Sequence, residues 1–314
     1  MATEAKIVIH GGAINPDSGA FSEGVGAAAK KGMEILRSGG NSTDAVTEAL
    51  KLLENNPIFN AGVGAWPNLK GEVELDAIIM EGKTMRAGAV AAARNLKSPI
   101  SVARKVMEET DHILLAGLGA EEFARVFGLH EQHKVPEARL KEWQSLKKKL
   151  EAGEDVPMLQ YWKKISRWLN QGDTVGAVAI DHQGLISAGT SSGGFPMKLP
   201  GRIGDVPLIG CSTYADDSAG GVSITGHGEV VMTHALAKSC VDLMRNGITA
   251  QMAIESLTEM VNNKTNGKII LCVIGIDKHG RVGVARNIDA TPVAYFEEGM
   301  SNPKLQFAKK VLLS

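Results

Sequence analysis

The chain has 314 residues, of which 44% are hydrophobic and 22% are charged, and its formal net charge is −1. This composition is typical of a globular protein with a sizeable core, and the near-zero charge argues against nucleic acid or an anionic membrane surface as a partner. No apolar run approaches the ~18 residues of a membrane span, and the N-terminal residues MATEAKIVIHGG lack the features of a signal peptide.

The first part of the chain alternates apolar segments with glycine-rich turns. The run Lys6–His10 predicts a strand, and the apolar spacing of 21–38 predicts a helix that ends at Gly39. Ser42 is predicted to cap a second helix. Two paired strands and two further helices are predicted at 71–80, 85–93, 99–109 and 119–127.

Residues 131–172 differ from the rest in being rich in Lys, Trp and Glu, with Leu140, Trp143 and Leu146 at helical spacing. Such a stretch fits an amphipathic appendage, a basic helix that touches a membrane, or a linker. Because the basic residues are interleaved with Glu and Asp, a linker or appendage is favoured.

Two β-hairpins are predicted in the second part of the chain, at 174–189 and 269–285, because each has an apolar strand, an Asp-x-x-Gly turn and a returning strand. Helices are predicted between them, over 233–246 and from Thr249 onward. Runs of strands alternate with runs of helices, which indicates the α+β class with antiparallel sheets covered by helices. The three cysteines are odd in number and widely spaced, which indicates reduced core thiols and a cytoplasmic protein.

The junction of Asp173 and Thr174 places a hydroxyl residue at the start of an apolar strand. Thr suits strands and Asp suits loops, which is one explanation. A chemical explanation is that cleavage of this bond would free the α-amine of Thr174 beside its own hydroxyl. An α-amine has a pKa near ~8, so it can accept the proton of a hydroxyl that acts as a nucleophile.

A second candidate nucleophile is Ser191, because GTSSG at 189–193 fits the G-x-S-x-G elbow of α/β-hydrolase-type serine esterases and HGGA at 10–13 is similar to their oxyanion loop. The elbow requires a helix directly after the serine, whereas GGFPMKLPGRIG follows here, and its prolines and glycines forbid one. The sequence therefore disfavours a serine esterase. The histidines show no metal-ligand spacing, which disfavours a catalytic transition metal.

Several motifs occur in one order along the chain: HGGA, GGNSTDAV, NNPIFNAGVGA, GEVELDAIIM, GDTVGAVAIDHQG, AGTSSGG and LPGRIGDVPLIG. Together they resemble the plant-type L-asparaginase / isoaspartyl peptidase family of N-terminal nucleophile (Ntn) hydrolases, from about residue 6 to 300 but not over 131–172. The resemblance implies one domain, 1–314, folded as a four-layer αββα sandwich of two stacked antiparallel sheets. It also implies self-cleavage between Asp173 and Thr174, which gives an α subunit, 1–173, and a β subunit, 174–314.

The resemblance also assigns roles to the site residues. Thr174 is the nucleophile, and Ser192, where the family more often has Thr, supports it. The Thr225 hydroxyl and the Gly226 N–H are the oxyanion donors, and Asn60 approaches the nucleophile. The α-carboxylate and α-ammonium of an aspartyl substrate are expected to bind Arg202, Asp205 and the carbonyl of Gly228.

An alkali-ion loop is implied over 53–63, where backbone carbonyls would hold a structural sodium ion. Its ligands would be Leu53, Glu54, Asn56, Phe59, Ala61 and Val63. No cofactor is expected for catalysis. The assembly implied is an (αβ)2 heterotetramer of two processed precursors.

The function implied is hydrolysis of L-asparagine and β-aspartyl (isoaspartyl) dipeptides. A glycosylasparaginase is an alternative, because Asp173 and YADD at 214–217 resemble that branch. The loop HGGA, which has no tryptophan, argues against recognition of a glycan. An uncleaved homologue that binds aspartyl ligands without catalysis is a further alternative.

Overall fold

The structure, a computed structural model, describes residues 3–14, 19–152, 171–172, 174–289, 291–305 and 309–311. Asp173, Trp162 and Trp168 lie outside these ranges. The α-helices are α1 (Gly19–Arg37), α2 (Ser42–Glu54), α3 (Pro99–Glu109), α4 (Gly117–Val126), α5 (Glu137–Glu151), α6 (Gly228–His234), α7 (Leu236–Arg245) and α8 (Ala250–Lys264). The strands are β1 (Lys6–His10), β2 (Ala13–Ile14), β3 (Leu75–Glu81), β4 (Ala87–Ala93), β5 (Leu114–Ala116), β6 (Gln171–Gly172), β7 (Val175–Ile180), β8 (Ile186–Ser192), β9 (Thr213–Asp216), β10 (Gly220–Gly226), β11 (Leu271–Asp277), β12 (Val282–Arg286), β13 (Val293–Glu297), β14 (Lys304–Leu305) and β15 (Lys309–Lys310).

Two large sheets organise the described part of the chain. One has eight strands in the order β14-β13-β1-β7-β8-β3-β4-β5, and the other has five in the order β15-β12-β11-β10-β9. Neighbouring strands are antiparallel except for β5 beside β4 and β15 beside β12, which are parallel. The predicted antiparallel sheets are therefore present, with parallel pairs at two edges.

The sheets stack face to face and helices cover both outer faces. Strands β10 and β9 contact β7, β8 and β3 across the interface, whereas α1, α2 and α3 lie on the larger sheet and α7 and α8 on the smaller one. The three apolar residues at the centre of β1 are buried on both faces of the sheet. Ile7 and Ile9 face the helices and Val8 faces the second sheet, because successive side chains of a strand point to opposite faces. This is the αββα sandwich that the sequence predicted.

The helix boundaries correct two predictions. Asn41, not Ser42, caps α2: its backbone is extended, and its Oδ1 accepts a hydrogen bond from the backbone N–H of Asp44 over 2.8 Å. The single helix predicted over 233–246 is two helices, since Ala235 adopts a left-handed conformation with φ of 43° and separates α6 from α7. None of the described helices is long and apolar enough to cross a membrane.

Helix α5 lies within the predicted linker and packs against the body of the protein. Trp143 and Leu146 are buried against Met197 and Leu69. Of the three residues at helical spacing, Trp143 and Leu146 thus form a docked face, whereas Leu140 is exposed. The remainder of the predicted linker from 153 to 170 lies outside the described residues.

Candidate active site

The predicted nucleophile, Thr174, lies directly before β7 and is 7% exposed. The hairpin register pairs Val175 with Ser191, which brings Thr174 beside Ser192 at the end of β8. The Thr174 hydroxyl donates a hydrogen bond to the Ser192 hydroxyl over 3.1 Å. Ser192 Oγ also accepts the backbone N–H of Gly194 over 3.0 Å. Two neighbouring strands thus fix the position of this hydroxyl.

His10, at the end of β1, contacts the main chain of Thr174. Its Nδ1 lies 3.0 Å from the carbonyl oxygen of Thr174, and its Nε2 lies 3.0 Å from Ser223 Oγ. Because a carbonyl only accepts, Nδ1 carries the proton and Nε2 accepts from Ser223. Burial lowers the pKa of His10 to about 3, so the ring stays neutral. No motif in the sequence predicted a role for this histidine.

A narrow cleft opens beside Thr174. Every predicted catalytic and substrate-binding residue except Thr225 lines it. These lining residues are Asn60, Thr174, Ser192, Arg202, Asp205, Gly226 and Gly228.

The charged groups of the cleft are Arg202 and Asp205, with Glu229 nearby. Arg202 donates to Glu229 Oε1 through Nε over 3.1 Å and through Nη2 over 2.8 Å, and its guanidinium carbon lies 3.9 Å from the centre of the Phe195 ring. Burial raises the pKa of Asp205 to about 7, against the opposing effect of Arg202. Within the described residues Asp205 Oδ2 is buried without a hydrogen-bond partner. The cleft is therefore lined by a guanidinium and by a carboxyl group, one oxygen of which has no hydrogen-bond partner among the described residues.

The predicted oxyanion donors are at the end of β10. Gly226 lines the cleft with a φ of 153°, a conformation that favours glycine, and a Cβ there would collide with the carbonyl of Ile270. Thr225, the preceding residue, is fully buried in the strand. Glycine therefore fits this position because of its φ and because of the close approach of Ile270, and its backbone borders the cleft.

Asn60 connects two loops that line the cleft. Its backbone carbonyl accepts the N–H of Gly193 over 2.9 Å, and its Nδ2 donates to the carbonyl of Gly194 over 2.5 Å. Its Oδ1 accepts the backbone N–H of Trp66 over 2.9 Å. These bonds tie Asn60 to the segment that follows Ser192.

The predicted ion loop brings backbone carbonyl oxygens close to two glycines. A Cβ at Gly64 would collide with the carbonyl oxygens of Phe59 and Pro57, and one at Gly62 with that of Glu54, so carbonyl oxygens crowd a space that glycines leave open. In the part of the chain that the structure describes, no cluster of three or more His, Cys, Asp or Glu side chains is suited to a metal. The residues present therefore fit an alkali ion held by backbone oxygens better than a transition metal.

Ser191 is removed from the cleft. Its hydroxyl donates to Glu54 Oε1 over 2.7 Å, and the serine is fully buried on the face of β8 opposite to Ser192. The same carboxylate accepts the Ser98 hydroxyl and the Ile100 N–H over 2.7 and 2.8 Å. Burial raises the pKa of Glu54 to about 7. This geometry argues against a serine esterase with Ser191 as nucleophile.

Three residues near the cleft were missed from the sequence. Phe195 stacks on Arg202, and Glu229 is its ion-pair partner. Asp76 lines the cleft from β3, where its Oδ1 accepts the N–H of Ala92 over 2.8 Å and burial raises its pKa. A carboxylate inside the apolar run VELDAIIM was a signal that the sequence offered for Asp76.

An αββα sandwich with a buried threonine hydroxyl at the mouth of a polar cleft defines an Ntn-type hydrolase. The chain belongs to the asparaginase family: a family model described as "Asparaginase" matches residues 3–304. It is 46% identical to a plant-type L-asparaginase of Pyrococcus abyssi over 307 residues, which cover 95% of this chain and 98% of the relative. It is also 46% identical to a plant-type L-asparaginase of Thermococcus kodakarensis, with 96% and 99% covered. An isoaspartyl peptidase/L-asparaginase of Danio rerio is 40% identical over 283 residues, with 87% and 86% covered.

Proposed function

We propose that the protein is an autoprocessed amidohydrolase that cleaves L-asparagine and β-aspartyl dipeptides with Thr174 as nucleophile. The observation that carries this function is the Thr174–Ser192 hydrogen bond at the mouth of a cleft that also holds Arg202 and Asp205. The names of the relatives support the same substrates. The glycosylasparaginase alternative has no such support.

Self-cleavage would switch the nucleophile on. While Thr174 is joined to Asp173, its nitrogen is an amide and cannot act as a base. Cleavage of that bond frees an α-amine with a pKa near ~8, which can accept the proton of Thr174 Oγ1 at working pH. The unprocessed chain is then a zymogen.

Turnover follows from this amine. Thr174 Oγ1 attacks the side-chain amide carbon of the substrate, and the negative charge that develops on the amide oxygen meets the Thr225 hydroxyl and the Gly226 N–H. The C–N bond breaks, the leaving nitrogen takes the proton from the α-amine, and ammonia or an amino acid departs. Water then hydrolyses the aspartyl ester on Thr174 and releases aspartate. Asn60 and Ser192 hold the nucleophile and the adjoining loop in place.

Substrate selection would come from charge in the cleft. Arg202 offers a planar fork that matches an α-carboxylate, and Asp205 offers an anion for an α-ammonium. A Cβ at Gly228 would lie 2.6 Å from Asp205 Oδ1, so only glycine lets the main chain approach here and present its carbonyl to the same ammonium. The unsatisfied Oδ2 of Asp205 would gain a donor when the substrate binds.

The proposal also includes a structural sodium ion, an oligomeric state and a cellular location. Sodium would bind the carbonyls of the 53–63 loop and supply rigidity rather than chemistry. The processed protein would be an (αβ)2 heterotetramer that acts in the cytoplasm. In support of that location, all three cysteines are free thiols.

Side-by-side kinetics with a β-aspartyl dipeptide, L-asparagine and N-acetylglucosaminyl-asparagine test the function. We expect turnover of the first two and little of the third. Preference for the glycosylated substrate would show instead that the protein is a glycosylasparaginase. An intact, inactive chain that binds aspartate would favour the non-catalytic alternative.

A further inference from the structure

Helix α5, which lies in the tail of the predicted α subunit, contacts the loop that carries Asn60. Arg139 donates from Nε to the carbonyl of Gly64 and from Nη2 to the carbonyl of Ile58, each over 3.0 Å. Both acceptors flank Asn60 in the chain. One guanidinium therefore joins the two sides of this loop.

The same guanidinium lies on an aromatic ring. The guanidinium carbon of Arg139 is 4.4 Å from the centre of the Trp66 ring, and the backbone N–H of Trp66 donates to Asn60 Oδ1. The Arg139 side chain is 14% exposed, so water competes little for its donors. A continuous set of contacts thus runs from Arg139 through Trp66 to Asn60.

A second anchor lies one turn further along α5. Trp143 Nε1 donates to the carbonyl of Asn68 over 2.8 Å, and its ring packs on Met197. The Met197 N–H in turn donates to the carbonyl of Pro67 over 3.1 Å. Met197 follows Gly194 and Phe195, which line the cleft. The helix therefore touches both loops that Asn60 joins.

We propose that α5 is a positioning element of the active site, which fixes Asn60 and residues 193–197 through Arg139 and Trp143. The α-subunit tail then stays docked after cleavage at 173, and turnover depends on a helix that does not line the cleft. This role rests on the proposed function, because it assumes that Asn60 serves the Thr174 nucleophile.

The test uses the processed full-length protein with Arg139→Met and Arg139→Lys. Lys141→Met is the matched control, because Lys141 is on the same helix with its side chain 71% exposed. Hydrogen exchange is measured over 57–66 and 193–197, with Leu271–Asp277 of β11 as an internal reference for global unfolding. Kinetics are measured with a β-aspartyl dipeptide.

For Arg139→Met we expect exchange over 57–66 to rise about tenfold and kcat to fall about tenfold, since small displacements of a supporting group have effects of this order. KM should change less than about threefold, because Arg202 and Asp205 keep their contacts. Arg139→Lys should recover part of both changes, and β11 and Lys141→Met should match the parent.

Unchanged exchange over 57–66 in Arg139→Met would overturn the inference. Faster exchange with an unchanged kcat would also overturn it, because the loop would then be held without consequence for turnover. If the parent itself turns over none of the substrates, the proposed function fails, whereas the exchange data still decide whether Arg139 holds the loop.

Discussion

The hydroxyl of Thr174 donates to the hydroxyl of Ser192 over 3.1 Å, and the Gly194 N–H reaches the same Ser192 oxygen over 3.0 Å. Ser192 thus accepts twice, and its own proton remains to donate elsewhere. This arrangement orients the hydroxyl of Thr174. It also links Thr174 to the loop that Asn60 ties down.

Ser192→Ala should lower kcat on a β-aspartyl dipeptide about 10- to 100-fold, because Thr174 Oγ1 loses the partner that orients it. Ser192→Thr keeps the hydroxyl and restricts χ1, so its kcat should stay within about threefold of the parent. Steady-state kinetics of both processed variants check this. Full activity in Ser192→Ala would show that the contact does not orient the nucleophile.

Asp205→Asn should raise stability and lower kcat/KM. Burial holds the pKa of Asp205 near 7, above the ~3.9 of an unfolded aspartate, so the folded state binds more protons between these values. The contribution of Asp205 to stability therefore falls as pH rises from about 4 to 7. At pH 8 we expect a Tm rise of about 2–5 °C, from the removal of an unpaired buried charge.

The same carboxyl predicts the pH dependence of substrate capture. If the carboxylate form of Asp205 binds the α-ammonium, kcat/KM of the parent should rise with pH up to about 7. In Asp205→Asn this part of the rise should vanish while kcat/KM drops at every pH. If Asp205→Asn is more stable than the parent but keeps its kcat/KM, Asp205 has no role in substrate binding.

His10 should make the protein sensitive to acid. Burial lowers its pKa to about 3, whereas an unfolded histidine titrates near ~6.5. The unfolded state then binds more protons between these values, so the free energy of unfolding falls as pH drops below about 6.5. Denaturant unfolding of the parent and of His10→Gln at pH 7.5 and 5 checks this. If the free energy of unfolding falls equally in both proteins between pH 7.5 and 5, His10 is not the cause of the acid sensitivity.

Ser191→Ala should leave self-cleavage and turnover in place, because this hydroxyl faces Glu54 and not the cleft. The loss of a hydrogen bond to a buried carboxyl should cost about 1–3 kcal/mol of unfolding free energy. Activity assays and denaturant unfolding check the two parts. If Ser191→Ala is folded but inactive, Ser191 is again a candidate nucleophile.

Much of the fold was predictable because its signals are local. Apolar runs bounded by Asp-x-x-Gly turns predicted the hairpins of β7 with β8 and of β11 with β12, and the order of motifs predicted the sandwich. The break at Ala235 was not predictable, since alanine has no preference for a left-handed conformation. Tertiary packing imposes that conformation.

The site was predicted where residues carry a motif and missed where only the fold brings them together. Arg202 and Asp205 were identified together because GRIGD is one short segment. Glu229 and His10 lie far from it in the sequence. His10 reaches Thr174 only once β1 pairs with β7, and Glu229 reaches Arg202 only once α6 folds against the loop that carries Arg202. For Arg139, a basic residue in a charged segment gave no sign that its guanidinium would be buried against Trp66.

The central claim is that a freed Thr174 amine and hydroxyl perform the chemistry, and intact-mass analysis with N-terminal sequencing tests it most directly. The active parent should consist of two chains, 1–173 and 174–314, the second beginning with Thr174. Thr174→Ala should remain one chain without activity. Thr174→Ser should be processed more slowly and be about 10- to 100-fold less active, because the lost methyl frees χ1. Full activity in an intact parent chain, or in Thr174→Ala, would contradict the claim.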